Sequence, residues 1–174
     1  MRTLRSFLTG ALMLVLLGAS AAATVAQDEG AAISTDPASV TGTVAPGDII
    51  ADGVQTDEGS RGSTEGISFE NRWDASDPRL SGTVIYTGNW RSYSPSDVQV
   101  ESGARILEND GGRWVGTSTA VATPEGNTDT VILRGEGGYE GLTAYVVMDW
   151  TARGSFFGAI FPGELPPLPE PPAE

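Results

Sequence analysis

The sequence predicts an all-β domain, an eight-stranded antiparallel up-and-down barrel, on three observations. Apolar residues between residues 66 and 162 recur with period two. No window of ten or more residues carries the 3.6-residue period of a helix. Short clusters of Gly, Asn, Asp and Pro separate the alternating runs, as turns between strands require.

The first strand is expected at 39–45, where Val40 and Val44 alternate with threonine. The second carries Ile67, Phe69, Asn71 and Trp73 on one face and Ser68, Glu70 and Arg72 on the other. In the third, Leu80, Gly82, Val84, Tyr86, Gly88 and Trp90 share one parity against mostly polar neighbours, the longest alternation in the chain. A fourth runs from Val98 and Val100 to Ile106 and Leu107, then meets Asn109-Asp110-Gly111-Gly112. Asp-Gly between two strands is a strong hairpin signal, because glycine accepts the positive φ that such turns need. The fifth strand starts at Trp114, with Gly116, Ser118 and Ala120 on the tryptophan's face. Val131 to Leu133 form the sixth, after a loop around Pro124 to Asn127. Gly135 to Gly141 lead into a seventh, where Leu142, Ala144, Val146, Met148 and Trp150 share one parity, and Ser155 to Phe161 form the eighth. Eight such strands close into a barrel, which removes the exposed edges of an open sheet. A β-sandwich is the competing architecture.

The flanks read differently. Arg2 and Arg5, the uncharged run Phe7 to Leu17 and the small residues up to Ala26 have the layout of a secretory signal over 1–26, with cleavage after Ala26 or Ala23. The run falls short of the ~20 apolar residues of a membrane-spanning helix. The expected location is therefore outside the cell, or in a periplasm or cell envelope, with no stable membrane anchor after cleavage. Residues 27–65 hold no aromatic residue, six large aliphatics and eight acids against one arginine. That composition predicts a mostly flexible acidic arm around the possible first strand. From Pro162 onward the chain holds six of its eleven prolines, which predicts an extended Pro-rich tail over 163–174.

Composition also excludes chemistry. The chain has no histidine, no cysteine and no lysine. This excludes disulfides, serine–histidine and cysteine–histidine pairs, Schiff bases, and imidazole- or thiolate-bound zinc. Proton transfer would fall to Asp, Glu, Tyr or Arg, with a carboxylate raised by burial to act near neutrality. Cleavage at 26 leaves eight arginines against 23 acids, a charge of −15, which disfavours nucleic acid and anionic membranes as partners. No metal or other cofactor is expected, and no oligomeric state is specified by the pattern.

Candidate site residues follow from parity. If the faces bearing Trp73, Tyr86, Trp90, Trp114 and Trp150 point inward, the interior is aromatic, and Gly82, Gly116, Ser118 and Ala144 leave space beside the rings. Asn71, Ser118 and the Tyr86 hydroxyl add polar groups to that face, which either satisfy one another or contact a ligand. Glu70, Arg72, Arg134, Glu136 and Asp149 fall on the outward parity. The cluster GEGGYEG at 135–141 is not a dinucleotide fingerprint, since its sixth residue is Glu140 and a strand follows it. Gly135, Gly137, Tyr139 and Gly141 are read as a tight structural turn.

The frame GRWVGTSTAV followed by TDTVILRGEGGYEGLTA, between Gly112 and Ala144, resembles the allene oxide cyclase and dirigent class of eight-stranded barrels. WDASDPRLSGT and the IFPGE segment look similar to uncharacterised secreted proteins of high-GC bacteria. The resemblance implies a barrel with a central cavity. It carries over only Gly135, Gly137, Tyr139 and Gly141, all structural, and places none of the carboxylates that line the cavities of those families. The expected function is non-catalytic binding of a small apolar or aromatic ligand, or an extracellular interaction module. Two alternatives stay open: an isomerase or cyclase, which requires an inward carboxylate, and a structural envelope or surface protein.

Overall fold

The computed structural model describes residues 33–151 and 154–169. The expected signal segment 1–26 and the end of the Pro-rich tail, 170–174, lie outside the described residues. Nine strands form one antiparallel sheet: β1 (Ala38–Ala51), β2 (Val54–Asp57), β3 (Arg61–Ala75), β4 (Gly82–Tyr93), β5 (Val98–Asn109), β6 (Gly112–Thr123), β7 (Gly126–Glu136), β8 (Leu142–Asp149) and β9 (Ser155–Pro162). Each strand from β3 to β8 pairs with the next, β9 pairs with β1, and β1 pairs with β3. Eight strands thus close into a ring, and the sandwich is not what forms. β2 stands outside the ring, paired with the start of β3 from Val54 opposite Glu65 to Asp57 opposite Gly62.

Sequence patterning underestimates the N-terminal part. Residues 27–65, expected to be mostly a flexible arm, contain all of β1 and β2 and the start of β3, and β1 runs well past 45. Only Val40 and Val44 of β1 are buried, while Ile49 and Ile50 are more than half exposed. This strand is held chiefly by backbone pairing, to β9 from Ala38 to Thr43 and to β3 from Gly42 to Ala51. A reading based on side-chain hydrophobicity is blind to that ladder.

The other strands fall close to where alternation places them, but Leu80 belongs to the 3-10 turn Pro78–Leu80 and Trp150 to the turn after β8, and β7 is longer than expected because residues 126–130 are polar on both faces. The Asp110-Gly111 turn joins β5 and β6, with Asn109 opposite Gly112; Gly111 does not take the positive φ expected of it and instead leaves room for the Tyr139 hydroxyl, which a Cβ there would overlap. The GEGGYEG cluster forms a 3-10 turn at Gly137–Tyr139, with Gly137 and Gly141 at φ 66° and 82°. Those values suit glycine and are strained for residues with a Cβ.

Alternating strand directions put the starts of β1, β4, β6 and β8 at one end of the barrel, called lower here. Its interior is a packed apolar core including Leu80, Val84, Leu107, Trp114, Leu133 and Ile160, each 0% exposed. Trp73, also buried, packs against Phe156 with ring centroids 5.1 Å apart. Hydrogen bonds close the lower end. Asp77 caps the 3-10 turn Pro78–Leu80 and pairs with Arg79, whose guanidinium also donates to the Ser34 carbonyl. The Asn109 amide donates to the carbonyls of Pro78, Arg79 and Ser81. Tyr139 stacks on Trp114 at 5.0 Å and donates its hydroxyl to Asn109 Oδ1 at 2.6 Å. The Trp114 indole donates to the Arg79 carbonyl at 2.8 Å. Tyr139, expected as part of a structural turn, is thus the plug itself.

Beyond β9, residues 163–169 have no regular structure. Gly163 N–H donates to the Gly141 carbonyl, and Glu164 pairs with Arg134, so the tail begins against the lower end.

Candidate functional site

At the upper end, the inward residues stop being uniformly apolar. A cavity of about 340 Å³ opens there, walled by Phe69, Tyr86, Trp90 and Trp150, with Pro46 on β1. Its polar lining is Asn71, Gln99, Glu101, Arg105 and Asn127. Each side chain arrives by register. Tyr86 of β4 lies opposite Phe69 of β3 and Arg105 of β5, and Trp90 lies opposite Glu101. On the next strands, Glu101 faces Ala120, which faces Asp129. Trp150 follows β8 and is held there by its N–H donating to the Asn127 carbonyl at 3.0 Å.

The aromatic wall is ordered. Phe69 stacks on Tyr86 at 6.1 Å and on Trp90 at 5.7 Å, with interplanar angles of 10° and 15°. The Tyr86 ring lies against the barrel wall in the space left by Gly88 and Gly103, where a methyl group would overlap the ring at either position. On that ring rests the Arg105 guanidinium, 4.4 Å from the centroid. The glycines therefore set where the tyrosine lies and, through it, the arginine.

Arg105 is 3% exposed and Asp129 1%, and the two form a buried ion pair through Arg105 Nη2 and Asp129 Oδ2. The pair is incompletely satisfied: Arg105 Nε and Nη1, Asp129 Oδ1 and the cavity-lining Asn127 Oδ1 have no hydrogen-bond partner among the described residues. Burial pushes the Glu101 carboxyl above the usual carboxylate range. The hydrogen bond from Gln99 Nε2, 2.9 Å, opposes the shift, and nearby Asp129 adds to it. Burial likewise pushes up the Asp129 carboxyl, against the pull of Arg105, and the Tyr86 hydroxyl.

Of the seven residues singled out for a ligand site, the cavity gathers Asn71, Tyr86, Trp90 and Trp150. Trp73, Trp114 and Ser118 are buried and line no part of it. Trp73 and Trp114 belong to the apolar core below. Gly116, expected to leave space beside the rings, instead permits close strand approach, since a Cβ there would overlap the Ile132 carbonyl. The expected outward positions Glu70, Arg72, Arg134, Glu136 and Asp149 are exposed.

Sequence reasoning missed Glu101, Arg105 and Asp129. On β5 it followed the valines at 98 and 100, which lie on the outer parity, whereas Glu101, Gly103, Arg105 and Leu107 face inward. Asp129 was within reach, because it shares parity with Val131 and Leu133 on β7.

Fold and site together define a closed antiparallel barrel, sealed at one end by side chains and bearing an aromatic cavity with a buried ion pair at the other. Comparison with protein-family models, curated proteins and solved structures finds no match.

Proposed function

We propose that the chain is an exported binding protein that holds one small, predominantly aromatic ligand in the upper end of the barrel without forming a covalent bond. The observation that carries this reading is the asymmetry of the interior. The same eight strands that pack tightly around Trp73 and Trp114 leave a cavity of about 340 Å³ beside a stacked aromatic wall. Its size lies at the lower end of small-molecule sites, and its lining joins five aromatic or apolar residues to five polar ones. Native mass spectrometry of the secreted protein, with naphthalene as a reference probe in solution, tests the reading. Saturable binding of one probe per chain, lost when Asn71→Phe fills the site from β3, supports it. Absence of any bound aromatic sinks it.

One observation favours a second reading, an isomerase or cyclase of the kind the allene oxide cyclase and dirigent resemblance implies. That reading requires an inward carboxylate, and Glu101 and Asp129 are two. Glu101, whose carboxyl burial shifts upward, would act as the proton donor. Incubating the captured ligand with the native protein and with Glu101→Gln separates the readings. Conversion that disappears in the variant while capture persists favours the isomerase.

A further inference from the structure

We propose that the cavity recognises an uncharged, planar, carbonyl-bearing ring of the lactam or cyclic-amide type, read by Arg105 and Asn127, and that it discriminates against both carboxylates and bare hydrocarbons. The inference rests on the proposed ligand-binding function and names the ligand's chemistry.

Three observations lead to it. Arg105 is fixed between the Tyr86 ring and Asp129, lines the cavity, and keeps two nitrogens, Nε and Nη1, without a protein acceptor. A buried donor left unsatisfied is costly, so a ligand offering an acceptor oxygen gains what a hydrocarbon cannot. Asn127 lines the same cavity and carries a buried Oδ1 without a partner, an acceptor that calls for a donor on the ligand. An amide edge supplies carbonyl and N–H side by side.

Charge then separates a carbonyl from a carboxylate. The Arg105 cation is already compensated by Asp129, and Glu101 lines the same space. A ligand carboxylate would bring a further acidic group into a site of low dielectric within a chain of net charge −13. An uncharged carbonyl takes the free N–H groups without that cost. Planarity follows from the rest of the wall: Phe69 and Trp90 stack at 5.7 Å with an interplanar angle of 15°, and a flat ring adds to that pair as another layer.

Three bicyclic probes of similar size test this by calorimetric titration of the full secreted chain: 2-quinolone, naphthalene and 2-naphthoate. The expected order is 2-quinolone at least about tenfold tighter than naphthalene, with 2-naphthoate the weakest. In the paired variant Arg105→Met/Asp129→Leu, which removes both charges together, naphthalene binding persists and the preference for 2-quinolone falls toward unity. Asn127→Leu, which leaves the ion pair intact, reduces the same preference if the paired variant fails to fold. Equal binding of naphthalene and 2-quinolone by the native chain overturns the inference and leaves the aromatic site standing. Tightest binding of 2-naphthoate overturns it in favour of an anion site. Failure of all three probes to bind removes the ligand-binding function and the inference with it.

Discussion

Replacing Asp129 by leucine tests how the barrel tolerates charge in its interior. The carboxylate and its partner are both nearly inaccessible, with side-chain exposures of 2% for Asp129 and 3% for Arg105. Asp129→Leu leaves a guanidinium that cannot give up its proton, buried beside the Tyr86 ring with Glu101 as the remaining nearby acid. Breaking a buried pair from one side costs about 3–5 kcal/mol, and with Glu101 still near Arg105 the lower part of that range applies. Arg105→Met is the milder change, because the carboxyl it strands can be neutralised by a proton. Burial already raises the Asp129 carboxyl, and loss of Arg105 raises it further. An acid whose folded-state pKa lies above its unfolded value contributes stability at low pH that is lost as pH rises through the folded value. Arg105→Met is therefore closest to the native chain in acid and falls behind as pH increases. The paired variant Arg105→Met/Asp129→Leu returns to within about 1 kcal/mol of the native chain, since apolar groups can replace a buried pair with little loss. Urea unfolding followed by tryptophan fluorescence at several pH values measures all four proteins. A penalty of about 3 kcal/mol should appear in thermal melts as a drop on the order of 10 °C. Additive single effects, with no recovery in the paired variant, would refute the account of a coupled pair, as would an Asp129→Leu penalty below about 1 kcal/mol.

Three further outcomes follow from other parts of the barrel. Glu101→Gln removes a carboxyl that burial holds above its usual range. The variant should be more stable than the native chain near neutral pH, with the gain vanishing as pH falls through the ordinary glutamate range, readable from urea midpoints against pH. Gly103→Ala places a methyl group against the Tyr86 ring and the Thr87 carbonyl, and should cost about 1–3 kcal/mol while weakening aromatic ligands by displacing the ring that carries Arg105. Calorimetry on the same sample reads both effects. Asn109→Ala removes the amide that donates to three carbonyls and the acceptor of the Tyr139 hydroxyl, and should cost about 2 kcal/mol in urea unfolding without changing ligand affinity. A loss of binding in that variant would mean that the two ends of the barrel are coupled.

The fold was legible wherever a strand buries apolar side chains on one face. The runs through Trp73, Tyr86, Trp114 and Met148 fix direction, parity and turn positions, and the Asp110-Gly111 pair marks its hairpin unaided. β2 and the second half of β1 were not legible, because they bury almost nothing and persist through main-chain hydrogen bonds to β3. The site was half legible for a related reason. Its aromatic members announce themselves by parity with apolar neighbours, whereas its charged members violate the rule from which parity is inferred.

β5 makes the point sharply. Its outer face carries Val98, Val100 and Ile106, and its inner face carries Glu101 and Arg105, so hydrophobicity alone assigns the strand backwards. What fixes the true orientation is Leu107, opposite Val84 on one side and Trp114 on the other, in the packed lower core. A one-residue slip would bury Ile106 there and expose Arg105, but it would also turn Leu107 out and leave Asp129 without its cation. The lower end, by demanding Leu107, commits the same strand to delivering Arg105 and Glu101 into the upper end. Inward polarity on β5 is thus imposed by the tightly packed half of the barrel and matched by Asp129 on β7, two strands away. The incomplete pairing of that match leaves Arg105 Nε and Nη1 and Asp129 Oδ1 without partners at the upper end.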